Sequence, residues 1–598
     1  MTRSPARASV FTLHRGQTSQ RRPLFHSRLM LRHPRSSRTR VRRLVSLVVA
    51  ALAAAACTGT EKAKTEAGPA DVGGTIVIVT AADAGTLLPP LVVSIQDRQV
   101  SDLLYDHLAE IGDDLNTVGD KNFKPQLAER WEWAADSLSI AFHINPHARW
   151  HDGRPVRASD VRYSLALVRE PALGSPMVPL VMNVDSVSVR DSLTAVVHFK
   201  KRQPEQFYDF VYQIGIVPEH ILGNTPPAQL KTAEVGRRGV GSGRFRLGRW
   251  EAGTRVELLA DTANYRGRPK LDRVVFSIAP DFNGAVTRFL AGDADVFENL
   301  RAEQIAKLAG DTARRTLQLP NLQYAWLAFN LIDPKAPTQP HPVFGERAVR
   351  RALTMAVDRR AMLKNVFDTV GHLAYGPFPH AVLVADTTLP QLPYDTAKAR
   401  ALLDSAGWAL GPDGVRAKNG RRLSFGLSTP NSSATRKQYA VLLQDAFRRV
   451  GAEAKIEEAD FASYTAKQSG KTFDAEMAAY QNDPSVGGFK QTWGTVGIAN
   501  DGPNWSSYSS PTVDAYLDSA TNAFDPARAK SHARRAFETI IEDAPAIFLY
   551  EPTPMGGIHR RIRPVSLRPY NYFAGLADWW IPASQRSARD RIGLRPAQ

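Results

Sequence analysis

The stretch from Lys124 to Val168 reads KPQLAERWEWAADSLSIAFHINPHARWHDGRPVRASDVRYSLALV, and it contains a strand signal, a turn signal and a helix signal in succession. The segment LSIAFHI within it has a large apolar residue at every second position. These residues are Leu138, Ile140, Phe142 and Ile144. Because side chains alternate between the two faces of a strand, this period predicts a strand with one buried face.

The residues after this strand predict a turn and then a helix. Asp152 and Gly153 are typical turn residues, because Asp tolerates turn geometry and Gly adopts positive φ without strain. Beyond Pro155, apolar residues recur at i, i+4 and i+7, the spacing of one helical face. These are Val161, Leu165 and Val168.

Three histidines in this stretch, His143, His147 and His151, recur every four residues and raise the question of a metal site. Pro146 lies between the first two and His143 belongs to the predicted strand, so the three cannot share one helical face. A catalytic His–Asp pair would need a nucleophile or a second carboxylate nearby, and the sequence names none. We therefore interpret the stretch as a structural turn, without metal ligands or catalytic residues.

Strand and helix signals are mixed along the rest of the chain. The β-branched run TIVIVT at Thr75–Thr80 predicts a buried strand. A second helix is predicted from Asp395 or Thr396 to Gly407, which suits a left-handed C-terminal position. An earlier helix is predicted in AVRRALTMAVDRRAML, whose apolar stripe consists of Val349, Ala352, Leu353, Ala356 and Val357. The mixture predicts an α/β protein.

Most of the positive charge lies in the first 57 residues. The 598-residue chain has a formal net charge of +17, and residues 1–57 contain twelve arginines and no Lys, Asp or Glu. Taking these twelve away leaves a net charge of +5 for the remainder. Nucleic-acid binding needs a basic stripe that neutralises phosphates, and none remains. The composition therefore argues against a nucleic-acid partner.

Residues 1–57 have the order of a secretory signal. The basic run RTRVRR ends at Arg43, and the apolar run LVSLVVAALAAAAC follows to Cys57. This run is too short for a membrane-spanning helix of about twenty residues. Met30 is a start that would leave a leader of ordinary length. Cys57 is the only cysteine, so an intrachain disulfide is excluded.

The end of this apolar run resembles a bacterial lipobox, with Ala54 at the place where Leu is usual. The resemblance implies that Cys57 is lipidated, becomes the mature N-terminus and anchors the protein to a membrane. Residues 58–72 are polar and lack aromatic side chains, so they are interpreted as a flexible tether.

Six blocks of the chain, in order, resemble the family 5 extracytoplasmic solute-binding proteins, which are the oligopeptide-, dipeptide- and nickel-type receptors of ABC importers. The similarity covers nearly all of residues 73–580. The blocks are Lys124–Val168, Gly241–Phe276, Leu290–Phe297, Leu327–Leu363, Asp395–Trp408 and Tyr508–Ala520.

The resemblance implies a two-lobed α/β periplasmic-binding-protein fold of type II, in its large cluster, with an inserted subdomain and a ligand cleft between the lobes. It also implies a division of the chain. Lobe I is expected at 73–103, its inserted subdomain at 104–234, the second part of lobe I at 235–324, lobe II at 325–545, and the return to lobe I with the C-terminal tail at 546–598.

Motifs of enzymes are weak in this sequence. GVGSGRF at Gly239–Phe245 superficially suggests a phosphate loop, but the following FRLGRW is interpreted as a strand, whereas a dinucleotide fingerprint needs a helix there. The glycines are therefore interpreted as a tight crossover between lobes. No nucleophile elbow, H-E-x-x-H motif or Cys/His pair occurs. We expect no enzymatic activity, no cofactor and no bound metal.

Specificity is expected to depend on DAEMAAYQNDPSVGGF, residues Asp474–Phe489. In peptide-binding members of the family, an Asp four residues before the Pro pairs with the ligand's α-ammonium, and the corresponding residue here is Tyr480. A neutral Tyr cannot offset the charge of a buried cation. Leaving such a cation unpaired would cost about 3–5 kcal/mol of binding free energy. Either Asp483 or Glu476 replaces that Asp, or the ligand lacks an ammonium there. The candidate ligand contacts are Tyr480, Asn482, Asp483, Trp493, Trp505 and Tyr508, although aromatic residues are more often core than contact.

The sequence therefore predicts an extracytoplasmic lipoprotein that captures a peptide-like or other small solute and delivers it to an ABC permease. It is expected to act as a monomer, on the periplasmic or cell-surface side of a bacterial membrane. Two alternatives remain open: a secreted hydrolase on a receptor-like scaffold, and a solute-sensing receptor without transport.

Overall fold

The computed structural model describes residues 72–591, except residues 81, 93, 280, 369, 370, 500, 501 and 570. The predicted leader, with Cys57, and the predicted tether up to residue 71 lie outside the described residues.

The described strands are numbered in chain order. They are β1 (Thr75–Thr80), β2 (Ala109–Glu110), β3 (Lys124–Pro125), β4 (Ala128–Trp133), β5 (Ser139–Ile144), β6 (Val184–Asp191), β7 (Thr194–Phe199), β8 (Phe245–Glu251), β9 (Arg255–Ala260), β10 (Arg273–Ile278), β11 (Val296–Leu300), β12 (Arg314–Gln318), β13 (Gln323–Phe329), β14 (Ile332–Asp333), β15 (Ala336–Pro340), β16 (His372–Leu373), β17 (Ala409–Leu410), β18 (Arg416–Lys418), β19 (Arg421–Arg422), β20 (Ser424–Pro430), β21 (Glu453–Ala459), β22 (Ala475–Gln481), β23 (Ala546–Glu551) and β24 (Met555–His559).

The α-helices are numbered in the same way. They are α1 (Ile95–Leu104), α2 (Ala158–Arg169), α3 (Gln206–Val211), α4 (Glu219–Leu222), α5 (Glu234–Arg237), α6 (Phe282–Ala291), α7 (Ala302–Leu308), α8 (Arg347–Met355), α9 (Arg359–Phe367), α10 (Thr396–Ser405), α11 (Ala434–Arg448), α12 (Phe461–Ser469), α13 (Gly487–Trp493), α14 (Pro511–Thr521) and α15 (Pro526–Asp543).

A seven-stranded sheet, in the order β12-β24-β11-β1-β10-β9-β8, contains the predicted strand β1 near its centre. β1 pairs in parallel with β10 and with β11, and its residues are buried or half-buried. Strands buried on both faces tend to be continuously apolar, which explains why TIVIVT lacks alternation. The prediction of a buried strand at Thr75–Thr80 is confirmed.

A buried ion cluster ties the two ends of the described chain together in this sheet. Arg561 contacts Asp295 (Nε to Oδ1, 2.8 Å) and Asp590 (Nη1 to Oδ2, 2.6 Å). The backbone N–H of Thr75, at the start of β1, donates to Asp590 Oδ1 at 3.1 Å. All four residues are at most 5% exposed, so each charge depends on its partners for compensation.

A four-stranded antiparallel sheet, β4-β5-β7-β6, includes the strand predicted within Lys124–Val168, and the predicted turn and helix follow that strand. Gly153 has φ +90 in the turn, and α2 packs against β6 and β7. The strand β5 begins one residue later than its apolar alternation, and Leu138 is 37% exposed. The predicted burial of Leu138 is therefore wrong, since this residue lies in the turn that precedes β5.

A six-stranded sheet, β16-β23-β13-β22-β20-β21, forms the third large unit. The chain enters it from β12 through residues 319–322 and leaves it through residues 552–554, between β23 and β24. These two crossings lie side by side, because Leu319 N donates to Pro554 O (2.9 Å) and Asn321 Nδ2 donates to Pro552 O (2.5 Å). The predicted lobe boundary at 545/546 falls one strand before the second crossing.

Two predicted helices compare differently with the structure. The helix predicted in AVRRALTMAVDRRAML is confirmed by α8, but it does not extend through the whole segment, because α8 ends at Met355 and α9 begins at Arg359. Asp358 N-caps α9 by accepting from Ala361 N at 3.0 Å, and a cap starts a new helix. The helix predicted near 395–407 is confirmed: Asp395 caps α10, and Gly407 has φ +83.

Among the described residues, no helix combines the length and the apolar character that crossing a bilayer requires.

Candidate functional site

A cavity of about 410 Å³ lies where segments associated with all three large sheets meet. The start of α1 and residues Pro569 and Tyr572, beside the seven-stranded sheet, line one side. Residues 176–180 and Gln213 line another, and residues 481–483 line the third at the end of β22. Cavities of this size, shared between structural units, are typical of small-molecule sites.

A second depression, of about 550 Å³, belongs to the part of the chain that forms the six-stranded sheet. It is lined by residues of α9, the 371–387 segment and β23, including His380 and Glu551. His380 Nδ1 lies 2.5 Å from Glu551 Oε2, and this hydrogen bond raises the pKa of the histidine. This second depression lies within one structural unit, whereas the first cavity is shared between units. The first cavity is therefore the candidate site.

Asp483 provides the carboxylate of the candidate site. Its Oδ2 accepts hydrogen bonds from the Tyr208 hydroxyl (3.0 Å) and Gln213 Nε2 (2.8 Å), and its Oδ1 accepts from Ser485 N (2.7 Å). Burial raises the pKa of Asp483, while these donors and the positive charge of Arg98 act in the opposite direction. The side chain is thus a desolvated carboxylate held in one orientation.

Arg98, on α1, is the cation that lines this cavity. Its Nε lies 3.3 Å from Asp102 Oδ2, one turn further along α1, and its terminal nitrogens lie 3.5 Å from Gln213 Oε1. Gln213 therefore accepts from Arg98 with its oxygen and donates to Asp483 with its nitrogen. This bridge brings one positive and one negative group to the lining of the cavity.

Part of the cavity lining is apolar. It includes Ile95, which is 55% exposed at the start of α1, together with Met177 and Leu180. A ligand that covers apolar side chains in a cavity is stabilised by about 25 cal/mol per Å² of buried apolar area. The cavity therefore favours a molecule with a polar end and an apolar side.

The six predicted contacts do not all reach the cavity. Asn482 and Asp483 line it, whereas the four aromatic candidates are not among its lining residues in the described part of the chain. Tyr480 is half-buried, and its ring meets Trp505 edge-on at 5.7 Å between centroids. Burial raises the pKa of the Tyr480 hydroxyl.

Trp493 and Tyr508 belong to the core. Trp493 is 1% exposed and donates from Nε1 to the Tyr324 hydroxyl at 2.9 Å, while Tyr508 is 3% exposed and donates to Asp543 Oδ2 at 2.7 Å. Trp505 stacks on Trp326 with 5.6 Å between ring centroids. These three aromatic residues are near Asp483 in the sequence, but their side chains pack in or against the core and do not line the cavity.

Glu476, the other acid considered as a replacement for the family's Asp, lies inside the six-stranded sheet region. It is 0% exposed, its Oε1 accepts from Gln468 Nε2 at 2.9 Å, and its Oε2 has no hydrogen-bond partner among the described residues. Burial raises the pKa of Glu476 to about 8. With this pKa, the protonated, neutral form of Glu476 predominates at pH 7. Glu476 is also not among the residues that line the cavity.

The predicted structural turn contains His151, which holds the glycine-rich crossover. His151 Nδ1 accepts from Gly241 N (3.1 Å) and its Nε2 lies 2.9 Å from Gly243 O, so the ring is the neutral tautomer that donates from Nε2. Burial lowers the pKa of this histidine. A Cβ at Gly241 would meet the carbonyl oxygen of Leu104 at 1.8 Å, which requires glycine at this close approach.

The other two histidines lie apart from it, since His143 faces Glu132 (3.8 Å) and His147 is exposed. Among the described residues, no group of three His, Cys, Asp or Glu side chains is placed to hold a metal ion.

Sequence reasoning missed Arg98, Tyr208 and Gln213. Arg98 belongs to an ordinary amphipathic helix and the other two to a short segment after β7, and no local pattern separates them from surface polar residues. The contact of Gln213 with Asp483 joins residues 270 positions apart, which only the fold reveals.

The sequence matches the profile of a family described as bacterial extracellular solute-binding proteins, family 5, over residues 122–500. The chain is 25% identical over 558 residues to the oligopeptide-binding protein AppA of Bacillus subtilis, covering 91% of this chain and 99% of that protein. It is 23% identical to the heme-binding protein A of Haemophilus influenzae, covering 88% and 96%.

Solved structures share the fold. AppA of Bacillus subtilis in complex with a nonapeptide superposes with a TM-score of 0.66 at 24% identity, covering 86% of this chain and 99% of that one. NikZ of Campylobacter jejuni in complex with Ni(L-His) superposes with a TM-score of 0.68 at 21% identity, covering 85% and 99%. The two-lobed α/β architecture predicted from the sequence is thereby confirmed.

Proposed function

The chain belongs to the bacterial extracellular solute-binding proteins of family 5, and we propose that it holds its solute in the cavity lined by Arg98, Gln213 and Asp483. It captures a small solute outside the cytoplasm and delivers it to an ABC importer. Proteins of this family bind a substrate and do not transform it. The cavity is suited to this role, since it presents fixed polar groups and apolar side chains.

The proposed solute is peptide-like, with an amine near Asp483 and an apolar side chain against Ile95, Met177 and Leu180. The observation that carries this proposal is the position of Asp483, a desolvated carboxylate on the cavity wall. A cationic group beside it would offset the cost of burying its charge. Support also comes from the oligopeptide-binding relative AppA, and from Brucella relatives named as peptide-binding proteins of ABC transporters.

Asp483 is a better candidate than Glu476 for the role of the family's ammonium-binding Asp. Glu476 is sealed from the cavity and its raised pKa keeps it neutral at pH 7, so it offers a cation no charge. Tyr480 occupies the family's usual position but packs against Trp505. We therefore place the amine subsite three residues further along the chain.

Anchoring and assembly form a separate part of the proposal. Lipidation at Cys57 would hold the protein at the periplasmic or cell-surface face of a bacterial membrane, and the polar segment 58–72 would let the folded part reach a permease. The protein is proposed to act as a monomer. Mass spectrometry of the protein purified from membranes tests the anchor: an unmodified Cys57 peptide would contradict it.

Isothermal titration with two peptides tests the ligand chemistry. The tripeptide Ala-Phe-Ala carries a free amine and an apolar side chain, and its N-acetylated form differs only in lacking the charge. We expect the free-amine peptide to bind at least about tenfold more tightly, which corresponds to about 1.4 kcal/mol. Equal affinities would contradict the amine subsite. Binding of a nickel–histidine complex or of heme, with no binding of either peptide, would contradict the peptide-like class.

A further inference from the structure

The carboxylate of Glu205 is shared between two units of the protein. Glu205 precedes α3, beside the four-stranded sheet, and its Oε1 accepts from the Thr117 hydroxyl at 2.6 Å. Three further donors come from the loop after β22: the Ser485 hydroxyl (2.7 Å), Val486 N (2.8 Å) and Gly487 N (3.3 Å). One carboxylate thus binds a loop that follows the six-stranded sheet.

The same loop carries Asp483, and Ser485 contacts both acids. Ser485 donates to Asp483 through its backbone N–H (2.7 Å) and to Glu205 through its hydroxyl (2.7 Å). On the other side, Tyr208 and Gln213 follow Glu205 in the chain and donate to Asp483. Residues 205–213 and 483–487 are therefore joined at two carboxylates in parallel.

Glu205 does not line the cavity, so its influence on a solute must pass through this loop. Two other acids, Asp209 and Asp483, face it, and burial disfavours its charged form. A carboxylate persists in such surroundings when its hydrogen bonds are satisfied. Loss of Glu205 would leave the Val486 amide without its acceptor, while Gly487 N would keep its other acceptor, Ser485 Oγ, at 3.0 Å. A buried unpaired donor costs free energy that a loop relieves by moving.

We propose that Glu205 is a positioning residue that fixes the loop 483–487 and thereby aims Asp483 into the cavity. The part of the proposal that concerns solute binding rests on the proposed function of this cavity. The part that concerns the loop does not, because it concerns contacts present without any solute.

Hydrogen exchange of the purified protein, resolved to the amides of Val486 and Gly487, tests the loop. In E205A we expect the Val486 amide to exchange at least about tenfold faster than in the wild type, and the Gly487 amide by a smaller factor because it keeps Ser485 Oγ as an acceptor. In E205Q we expect an intermediate effect, since Gln keeps one acceptor oxygen. The control is E346A, which removes a carboxylate that Lys418 contacts at 2.8 Å in another part of the protein. Unchanged exchange in E205A would overturn the proposal.

Isothermal titration with Ala-Phe-Ala separates positioning from a loss of folding stability. We expect E205A to raise the Kd by about tenfold and E205Q by less, while E346A leaves the Kd within about twofold. An unchanged Kd in E205A would overturn the positioning role, even if the melting temperature falls. Failure of the wild type to bind the peptide would instead contradict the proposed ligand, and the exchange result would then decide on Glu205.

Discussion

β22 has a carboxyl group near each end, and the two groups differ in their surroundings. Glu476 lies one residue into the strand, is fully buried and accepts one hydrogen bond from Gln468. Asp483 lies two residues beyond the end of the strand, accepts three hydrogen bonds and lines the cavity. The point at which β22 leaves its sheet therefore determines which acid can face a solute.

The largest expected effect concerns the pH dependence of stability at the buried end. The unfolded chain releases the Glu476 proton near pH 4.5, whereas the folded protein holds it until about pH 8. The folded-state pKa is raised, so stability falls as pH rises from about 4.5 to about 8. One pKa unit corresponds to about 1.4 kcal/mol, which makes the total for this change of pKa on the order of 5 kcal/mol.

Glu476→Gln should remove this pH dependence, because the amide is neutral at every pH. Urea unfolding at pH 6 and pH 9 measures it: the difference between the two pH values should shrink in the variant. D113N, at an exposed position, serves as the control. A difference as large in E476Q as in the wild type would mean that Glu476 is ionised in the folded protein.

The second effect concerns the cavity end. Asp483→Asn keeps the shape of the side chain but removes its charge and turns one acceptor into a donor. We expect Ala-Phe-Ala to lose about 2 kcal/mol of binding free energy, about thirtyfold in Kd, because hydrogen bonds to charged groups are worth about that much. Titration calorimetry of D483N and E476Q side by side measures the difference between the two acids. Equal losses of affinity in both variants would contradict a role for Asp483 alone in binding the solute.

Asn482 should show a smaller effect, of opposite sign, on stability. It is 1% exposed, and both polar atoms of its amide lack a hydrogen-bond partner among the described residues. Asn482→Leu should therefore raise the free energy of unfolding by about 1 kcal/mol, since an unpaired buried amide costs about 1–3 kcal/mol. Urea unfolding measures this. A loss of stability would show that the amide has a partner, for example an ordered water.

The smallest effect is expected at Tyr480, where the family usually has Asp. If Asp483 holds the amine, Tyr480→Asp should change the affinity for Ala-Phe-Ala by less than about threefold. The same titration experiment applies, with Y480F as the control that keeps the ring against Trp505. A gain of tenfold or more would place the amine subsite at position 480 and reduce Asp483 to a structural residue.

Local signals in the sequence were sufficient for several elements of the fold. The β-branched run of β1, the Asp395 cap and the Gly407 terminus of α10 each depend on chemistry within a few residues. The break between α8 and α9 escaped prediction because the apolar stripe continues through it, and the stripe residues are indeed buried. Asp358 was the signal that could have revealed the break.

The candidate site was only partly predictable. The segment with Asn482 and Asp483 was identified through the family resemblance, but nothing local separates Asp483 from Glu476, since both are acids at one strand. Arg98, 385 positions before Asp483, enters the cavity only through the assembly of three sheets. Long-range placement of this kind depends on the whole fold and not on any window of sequence.

The ion cluster of Arg561, Asp295 and Asp590 has a consequence for biogenesis. Thr75, at the start of β1, depends for its N–H on a carboxylate 515 positions later, so the seven-stranded sheet cannot reach its final state until almost the whole described chain has been synthesised. Domains that close early can fold during translation, whereas this one must wait. The centre of the sheet is therefore expected to close late in folding, once Asp590 has joined it.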